Sequence, residues 1–422
     1  MSGRRVVITG LGVVAPGGVN TKAFWEAITS GRTATRLITA FDPAAFRSQI
    51  AAEVDFDPVQ AGLSHREMRR LDRAAQFALV ATRESLSDSG LEPGRLDPTR
   101  VGVSVGSAVG CTVRLESEYL VLSDSGREWV VDHSYASPHL YDYYMPGSLA
   151  AEVAWEVNAQ GPVTMISAGC TSGLDSLGHA ADLIREGTVD VMLAGGTDAP
   201  ISPITVSCFD AIKATSPGND DAAHALRPFD RTRTGFVLGE GAAMLVLEEL
   251  EYARARGAKL YAEITGFASR SNAFHMTGLR PDGAELAAAV TAALDESKLP
   301  ADAIDYVNAH GTATKQNDLH ETAALKTALG DHAYRIPVSS IKSMIGHSLG
   351  AVGSIEIAAC ALAIDQGIVP PTANLNEPDP ELDLDYVPHQ AREQHLDTVL
   401  TVGSGFGGFQ SAMVLVRPGS PA

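Results

Sequence analysis

Short apolar runs alternate with helix-like segments along the chain, and this pattern predicts alternating strands and helices. The apolar runs are rich in β-branched residues and contain glycine, as is typical of strands buried on both faces. In the first half they are 6–15, 101–106, the beginning of 161–174, 189–194 and 241–247. The segments with helical periodicity are 21–30, 64–89, 174–185 and 248–256. The sequence therefore predicts an α/β fold.

The second half of the chain repeats features of the first half in the same order. The matched pairs are 8–10 with 264–266, 105–107 with 309–312, the approach to Cys170 with 336–350, and 195–196 with 403–408. Both copies of Ile-Thr-Gly are predicted to end an early strand. Because order is kept while spacing is not, we expect two duplicated α/β halves, 1–255 and 256–422, packed about a pseudo-twofold axis.

Composition narrows the function classes. The chain has 422 residues, 45% of them hydrophobic, and a formal net charge of −19, which argues against nucleic acid or an anionic membrane as a partner. Its four cysteines show neither disulfide nor metal-ligand spacing, so we expect a reducing, cytoplasmic environment and no metal. No stretch is predicted to be long and apolar enough to cross a bilayer.

Cys170 occupies the predicted junction between a strand and a helix. Unpaired N–H groups at a helix N-terminus favour an anion, so this thiol is expected to ionise more readily than a free cysteine. Its small neighbours leave room for an acyl chain, and backbone N–H groups there could bind an oxyanion. The alternative is a small buried cysteine in a glycine-rich turn.

His310 and His347 each follow a predicted strand and are flanked by glycine, as a side chain held rigidly at a cleft would be. If the two halves are related by a pseudo-twofold axis, Cys170 and His347 lie at equivalent junctions, one in each half. The sequence therefore predicts that the sulfur and the imidazoles face one central cleft.

At these residues the chain resembles the β-ketoacyl synthases, the condensing enzymes of the thiolase superfamily. Cys170 falls in their nucleophile turn, His310 in H-G-T-x-T, Lys342 and His347 in K-x-x-x-G-H, and Phe406 in G-F-G-G. The match runs from the first strand to the last and so covers nearly the whole chain. The resemblance implies a thiolase-like fold, in which duplicated α/β halves form a five-layer α-β-α-β-α core.

Segments 168–175 and 401–413 look most like the catalytic ketosynthase subunit of bacterial type II polyketide synthases that make aromatic polyketides. Fatty-acid enzymes usually carry Asn-Ser-Phe ahead of G-F-G-G, where this chain has Val-Gly-Ser at 402–404. The resemblance thus implies an acyltransferase of polyketide biosynthesis. The alternative is a β-ketoacyl-acyl carrier protein synthase of fatty-acid biosynthesis. The non-catalytic chain-length factor lacks the nucleophile, so Cys170 disfavours it.

Three other enzyme classes fit less well. A thiolase would have a second cysteine near 403–408, and a chalcone-synthase-like enzyme would have asparagine at position 347. A cysteine hydrolase could use Cys170 with His310, but it would not need a second histidine.

The resemblance implies a role for each residue of the site. Cys170 would accept an acyl chain as a thioester, and the N–H groups of Cys170 and Phe406 would hold the oxyanion, with Phe406 also at the gate of the site. His310 and His347 would donate to the malonyl thioester oxygen and stabilise the enolate formed as carbon dioxide leaves.

Three charged residues are implied to support the histidines. Lys342 would anchor local charge, paired with Glu321, and Asp318 would belong to the same polar network. Both acids lie in the run Asn-Asp-Leu-His-Glu at 317–321. For all three residues, a role in orienting the imidazoles is as good an interpretation as a direct chemical role.

The substrates and partners are also implied by the resemblance. Thr312 and Thr314 match positions that bind the phosphopantetheine arm of an acyl carrier protein, and no other cofactor is expected. Arg66, Arg69 and Arg70 are the candidates for docking the acidic carrier, with a solvated helix face as the alternative.

A partner subunit is expected as well. A chain-length factor is the expected heterodimer partner, and the aromatic-rich segment 111–154 is predicted to line either a tunnel or that interface, or to be ordinary surface.

Overall fold

The computed structural model describes residues 3–129 and 133–420 and shows a mixed α/β protein. The strands are β1 Val6–Val14, β2 Thr35–Leu37, β3 Ile50–Ala52, β4 Val101–Gly106, β5 Val163–Ile166, β6 Val191–Asp198, β7 Leu238–Gly239, β8 Gly241–Glu249, β9 Ala262–Ser271, β10 Tyr306–Asn308, β11 Val338–Ser339, β12 Ile368–Val369, β13 Arg392–Glu393, β14 Thr398–Gly405 and β15 Phe409–Val416. The helices are α1 Thr21–Thr29, α2 His65–Arg70, α3 Arg73–Ser89, α4 Thr112–Leu122, α5 Leu140–Tyr144, α6 Ser148–Val157, α7 Ser172–Arg185, α8 Pro203–Ala211, α9 Leu250–Ala255, α10 Ala284–Ser297, α11 Lys315–Leu329, α12 Lys342–Ile345 and α13 Val352–Gln366.

The ten strands of the main sheet have the order β11-β10-β14-β15-β9-β1-β8-β6-β4-β5. The order reads the same from either end once each strand of the first half is matched with its copy: β5 with β11, β4 with β10, β6 with β14, β8 with β15 and β1 with β9. Parallel and antiparallel pairings also agree between the halves. The halves join where β1 pairs antiparallel with β9.

Helices cover the sheet on its outer faces and fill the space between the halves. Helix α3 packs on β1, β6 and β8, and α10 packs on the matched strands β9, β14 and β15. Helices α7 and α13 contact each other and lie against strands of both halves. Their apolar side chains belong to one buried cluster that spans the two halves. This arrangement gives the five layers α-β-α-β-α.

The two Ile-Thr-Gly segments were predicted to end strands, but they lie inside β1 and β9. A Cβ at Gly10 would lie 2.3 Å from the carbonyl oxygen of Ser85 in α3, and one at Gly266 would lie 2.0 Å from that of Ala293 in α10. The strand register shifts beside both glycines. Glycine is therefore required so that each outer helix can approach its strand closely.

Two other boundaries differ from the sequence prediction. The segment 64–89 forms two helices, because the buried Asp72 caps α3 through the N–H of Ala74 and leaves the helical conformation. The glycines 195–196 do not follow a strand; they lie within β6, where a Cβ at Gly195 would lie 1.9 Å from the Ala243 oxygen of β8.

Within the described residues, one helical segment has the length and apolar composition of a membrane span. It is Leu349–Gln366, of which 89% is buried inside the protein, as expected for a core helix. This segment was not singled out from the sequence.

The aromatic-rich segment 111–154 includes α4, α5 and part of α6, and residues 130–132 of it lie outside the described residues. Several of its aromatic side chains are exposed, among them Trp129, Tyr135, Tyr141 and Tyr144.

Candidate active site

Cys170 lies in a tight turn between β5 and α7. Gly169 adopts a φ of +58°, and the hydroxyl of Ser172 accepts the N–H of Ala168 at 2.9 Å and donates to the carbonyl oxygen of Gly169 at 2.6 Å. Thr171 immediately precedes the helix that begins at Ser172. The sulfur is therefore held at the N-terminus of α7, as the sequence predicts.

The hairpin between β14 and β15 closes over this turn. A Cβ at Gly169 would lie 3.7 Å from the Phe406 nitrogen, and one at Gly405 would lie 3.2 Å from the Cys170 nitrogen. Burial raises the pKa of the Cys170 thiol to about 12, although the charge of Lys342 and the Phe406 N–H act in the opposite direction. The predicted readier ionisation is therefore wrong, because desolvation of the anion outweighs the favourable dipoles and charge.

His310 is positioned through its backbone by Glu321 of α11. The two carboxylate oxygens of Glu321 accept the N–H of His310 at 2.5 Å and the N–H of Gly311 at 2.8 Å. The His310 residue is 3% exposed, and among the described residues the Nδ1 of its ring has no hydrogen-bond partner. Glu321 thus holds the loop that presents the ring rather than the ring itself.

His347 is positioned by β7 and by the turn that follows it. Its N–H donates to the carbonyl oxygen of Val237 at 2.8 Å, and its own carbonyl oxygen accepts the N–H of Gly239 at 2.9 Å. The buried carboxylate of Asp198 accepts the N–H of Gly350 at 2.7 Å. The rings of His310 and His347 lie 5.4 Å apart between centroids, edge to face at 85°.

Lys342 was predicted to pair with Glu321, but it pairs instead with Glu356 of α13. The ammonium lies 2.5 Å from the Glu356 carboxylate, and both side chains are at most 1% exposed. Burial together with the charge of Lys342 holds the pKa of His310 and of His347 well below 6.5. Both imidazoles are therefore neutral at pH 7 and can donate an N–H to a developing negative charge.

Asp318 forms part of a second buried network, behind His310. It accepts the N–H of Phe229 at 2.9 Å and lies 3.2 Å from Nε of Arg233, which also binds Asp379 at 2.6 Å. Burial raises the pKa of Asp318 to about 6. These contacts hold the segment before Arg233 against α11, so they are structural.

A cavity of about 430 Å³ collects the candidate residues. Cys170, His310, His347 and Phe406 all line it, whereas Lys342, Glu321 and Asp318 lie behind its wall. Thr312 and Thr314 also line it, with their hydroxyl oxygens 3.0 Å apart. Among residues 3–129 and 133–420, no group of three or more His, Cys, Asp or Glu is placed to hold a metal ion.

Comparison with known proteins agrees with this geometry. Residues 3–253 match the family model of the β-ketoacyl synthase N-terminal domain, and residues 261–376 match that of the C-terminal domain. The chain belongs to the β-ketoacyl synthase family. A curated relative, the tetracenomycin polyketide synthase ketoacyl synthase alpha subunit of Streptomyces glaucescens, is 64% identical over 415 residues, which cover 98% of this chain and 97% of that protein.

Two solved structures share the fold of this β-ketoacyl synthase. One is a type II polyketide synthase acyl-carrier protein in complex with its ketosynthase bound to the hexaketide; its matched chain has a TM-score of 0.92 and 37% identity, and the match covers 99% of this chain and 100% of that chain. The other is the ishigamide ketosynthase/chain length factor, with a TM-score of 0.90 and 34% identity over 99% and 100% of the chains. The predicted family and the thiolase-like fold are confirmed.

The three arginines on α2 of the β-ketoacyl synthase have different surroundings. Arg70 forms an ion pair with Glu152, and its side chain is 21% exposed, so it is not free for docking as was predicted. Arg66 and Arg69 are exposed, and within the described part of the chain neither has an ion-pair partner. Arg66 lines a surface groove together with the exposed Trp155.

Sequence reasoning did not identify Glu356, Asp198 or Arg233. Glu356 had a detectable signal, since it is a lone acid within the apolar run of α13 up to residue 364. Asp198 and Arg233 had none, because each acts on a segment that is distant in the sequence.

Proposed function

We propose that this β-ketoacyl synthase catalyses the decarboxylative Claisen condensation of a Cys170-bound acyl chain with a malonyl unit in type II polyketide biosynthesis. The observation that carries this proposal is the convergence of a thiol, two neutral imidazoles and the Phe406 N–H on one cavity. The chain has no cofactor of its own in this proposal, because both substrates arrive on the phosphopantetheine of an acyl carrier protein.

In the first step the Cys170 sulfur attacks the carbonyl carbon of the carrier thioester. The N–H groups of Cys170 and Phe406 hold the oxyanion, which collapses to the enzyme thioester and expels the phosphopantetheine thiolate. That thiolate takes up the proton given up by Cys170. Since burial keeps Cys170 protonated at rest, proton loss accompanies the attack.

In the second step the malonyl thioester loses carbon dioxide, and the electron pair of the broken bond forms an enolate. His310 and His347 donate N–H groups to its oxygen, and two neutral donors suit this charge because neither needs to lose a proton. The enolate carbon attacks the Cys170 thioester and forms the new carbon–carbon bond, and the sulfur leaves as a thiolate that takes up one proton from solvent. The product is a carrier-bound β-ketoacyl chain two carbons longer.

The carrier is proposed to approach the cavity from the side of Thr312 and Thr314, whose hydroxyls suit the amides of the phosphopantetheine arm. Arg66 and Arg69 are proposed to contact the acidic carrier, since the relative with a TM-score of 0.92 is described as a complex with its acyl-carrier protein.

The Cys170→Ala variant tests the reaction. We expect it to abolish covalent loading from an acyl carrier, whereas Cys208→Ala, at an exposed cysteine, should load normally. Intact-protein mass spectrometry after incubation with acyl-carrier gives the result. An acyl adduct that persists in Cys170→Ala would contradict the assignment.

A chain-length factor is the proposed heterodimer partner. Strand β5 is the last strand of the main sheet, and within the described residues no strand pairs with its outer edge. Val163 on this strand is 44% exposed, and an unpaired apolar edge is a template for pairing with another chain. The segment 111–154 carries exposed aromatic side chains, and a partner subunit typically buries a surface of this composition.

The edge can be tested with Val163→Lys, using Val59→Lys, which is 60% exposed and outside the strands, as the control. After co-expression with a chain-length factor, we expect light scattering to show a 1:1 complex for the parent and the control but not for Val163→Lys. A complex that survives the substitution would place the interface elsewhere.

A further inference from the structure

A third buried histidine lies close to the site but has no place in the proposed reaction. His320 is on α11, between Asp318 and Glu321, and is fully buried. It does not line the cavity. Its two ring nitrogens contact two different segments that do.

The first contact is to the loop between β9 and α10. Nδ1 of His320 lies 2.7 Å from the carbonyl oxygen of Arg280. A carbonyl oxygen only accepts, so Nδ1 carries the proton and donates it. Met276 and Leu279 of the same loop line the cavity, and a Cβ at Gly283 would lie 2.4 Å from the His320 carbonyl oxygen. The loop therefore rests directly on this turn of α11.

The second contact is to the hairpin that carries Phe406. Nε2 of His320 lies 3.4 Å from the side-chain amide of Gln410. Because Nδ1 carries the proton, Nε2 accepts, so the NH₂ group of Gln410 faces it. The same NH₂ group lies 2.6 Å from the hydroxyl oxygen of Ser404 across the hairpin, where Ser404 and Gln410 are directly paired. Gln410 is fully buried, and among the described residues the other atom of its amide has no hydrogen-bond partner, so few other contacts hold it.

The two segments also bind each other at the cavity. The N–H of Gly407 donates to the carbonyl oxygen of Met276 at 2.6 Å, and the N–H of Asn272 donates to that of Gly408 at 2.9 Å. A shift of either segment would consequently move the other, and with it the N–H of Phe406 at the Cys170 sulfur.

We propose that His320 is a positioning residue that fastens the Arg280 loop and the Ser404–Gln410 hairpin to α11, so that the Phe406 N–H stays aligned with Cys170. This inference rests on the proposed function, because its effect is read in acyl transfer. In this role His320 affects the geometry of the oxyanion site without contacting the substrate.

Conservative variants separate the two contacts. His320→Asn keeps a short amide N–H for the Arg280 oxygen but cannot reach Gln410, and Gln410→Leu removes the same contact from the other side. The matched control is His332→Asn, because His332 also contacts a carbonyl oxygen, that of Ile304 at 2.7 Å, but the segment around Ile304 does not line the cavity.

We expect His320→Asn and Gln410→Leu each to lower kcat for Cys170 loading by about 10-fold, a fraction of the ~10²–10³ lost with a whole oxyanion donor. The KM for the acyl carrier protein that brings the acyl chain and the melting temperature of each variant should change little. Because both variants break one contact, the double variant should lose no more than either single variant. The control should load at the parental rate.

Three results would overturn the inference. The first is a loss of kcat in the double variant that equals the product of the two single losses. The others are a loss of kcat that parallels a lower melting temperature, or an equal loss of kcat in His332→Asn. Loading of the parent at Cys170 separates this inference from the proposed function. If the parent does not load, the proposed function fails; if the parent loads and His320→Asn loads equally fast, only the role of His320 fails.

Discussion

Replacing Glu321 with glutamine should slow condensation while leaving the loading of Cys170 nearly unchanged. The two oxygens of the buried Glu321 accept the N–H groups of His310 and Gly311 at 2.5 and 2.8 Å. Glutamine supplies one acceptor oxygen and presents an NH₂ group to the second N–H, so that one donor faces another. The loop that presents the His310 ring must then move.

The magnitudes indicate that activity will report the change more clearly than stability. Burial raises the pKa of Glu321 from 4.5 to about 7, so keeping it ionised costs roughly 3 kcal/mol at 1.36 kcal/mol per pKa unit. Glutamine removes that cost but leaves a buried N–H unsatisfied, at ~1–3 kcal/mol. The two effects largely cancel at pH 8. A displacement of about 1 Å at a reacting group, however, costs roughly 10²-fold in rate.

The same argument predicts a pH dependence. A protonated Glu321 also offers one acceptor fewer, so condensation by the parent should fall as the pH decreases through about 7. Protonation of His310 cannot cause this fall, because its pKa lies well below 6.5. The folded protein holds the Glu321 proton up to about pH 7 and the unfolded chain only up to about pH 4.5, so this group lowers stability as the pH rises between the two values.

The assay is single-turnover condensation by enzyme already loaded at Cys170, followed by mass spectrometry from pH 6 to about pH 9. We expect Glu321→Gln to be slower by about 10- to 100-fold at pH 8 and to lack the acid limb. Glu84→Gln is the matched control, because Glu84 also accepts two backbone N–H groups, those of Val13 and Thr21, but neither of these residues lines the cavity. A Glu321→Gln variant that keeps the acid limb, or condenses at the parental rate, would refute the reasoning.

Two further predictions concern His347 and the exposed arginines. We expect His347→Ala to lower the condensation rate by ~10²–10³-fold and the rate of Cys170 loading far less, as measured in separate single-turnover reactions, and an equal loss in both would remove its assigned role. We expect the double reversal of Arg66 and Arg69 to Glu to weaken carrier binding by about 10-fold at low salt and less at high salt, while Arg32→Glu, at another exposed arginine, has no effect. Titration calorimetry at two salt concentrations gives the answer, and unchanged affinity would place the docking site elsewhere.

The repeated order of motifs was sufficient to predict the duplicated α/β fold, because each motif lies within or directly after a strand and the strands of both halves pair in the same pattern. Strand ends were less predictable at glycine. Gly10 and Gly195 looked like breaks, yet each lies inside a strand where another backbone comes too close for a Cβ. A single sequence shows that glycine is present but not which neighbour requires it.

The site shows the same limit. Residues at the ends of strands could be predicted to meet, because parallel strands present their carboxyl ends at one edge. The partner of Lys342 could not, since Glu321 lies in a polar run that suggests an active site, whereas Glu356 lies in an apolar helix and becomes a neighbour only when α13 packs. The pKa of Cys170 was mispredicted for a related reason: the helix terminus is visible in the sequence, but the burial that outweighs it is not.

The meeting of the nucleophile and the second histidine depends on how closely the two central helices pack. A Cβ at Gly173 would lie 2.7 Å from the Gly350 oxygen, and one at Gly353 would lie 2.8 Å from the Leu174 nitrogen. Each glycine is the second residue of its helix, three residues after Cys170 in α7 and six residues after His347 in α13. Any larger side chain there would separate α7 from the start of α13, and thus the sulfur from the imidazole. The duplicated fold brings together two equivalent turns, and because only one carries a thiol and the other an imidazole, neither half contains the complete site.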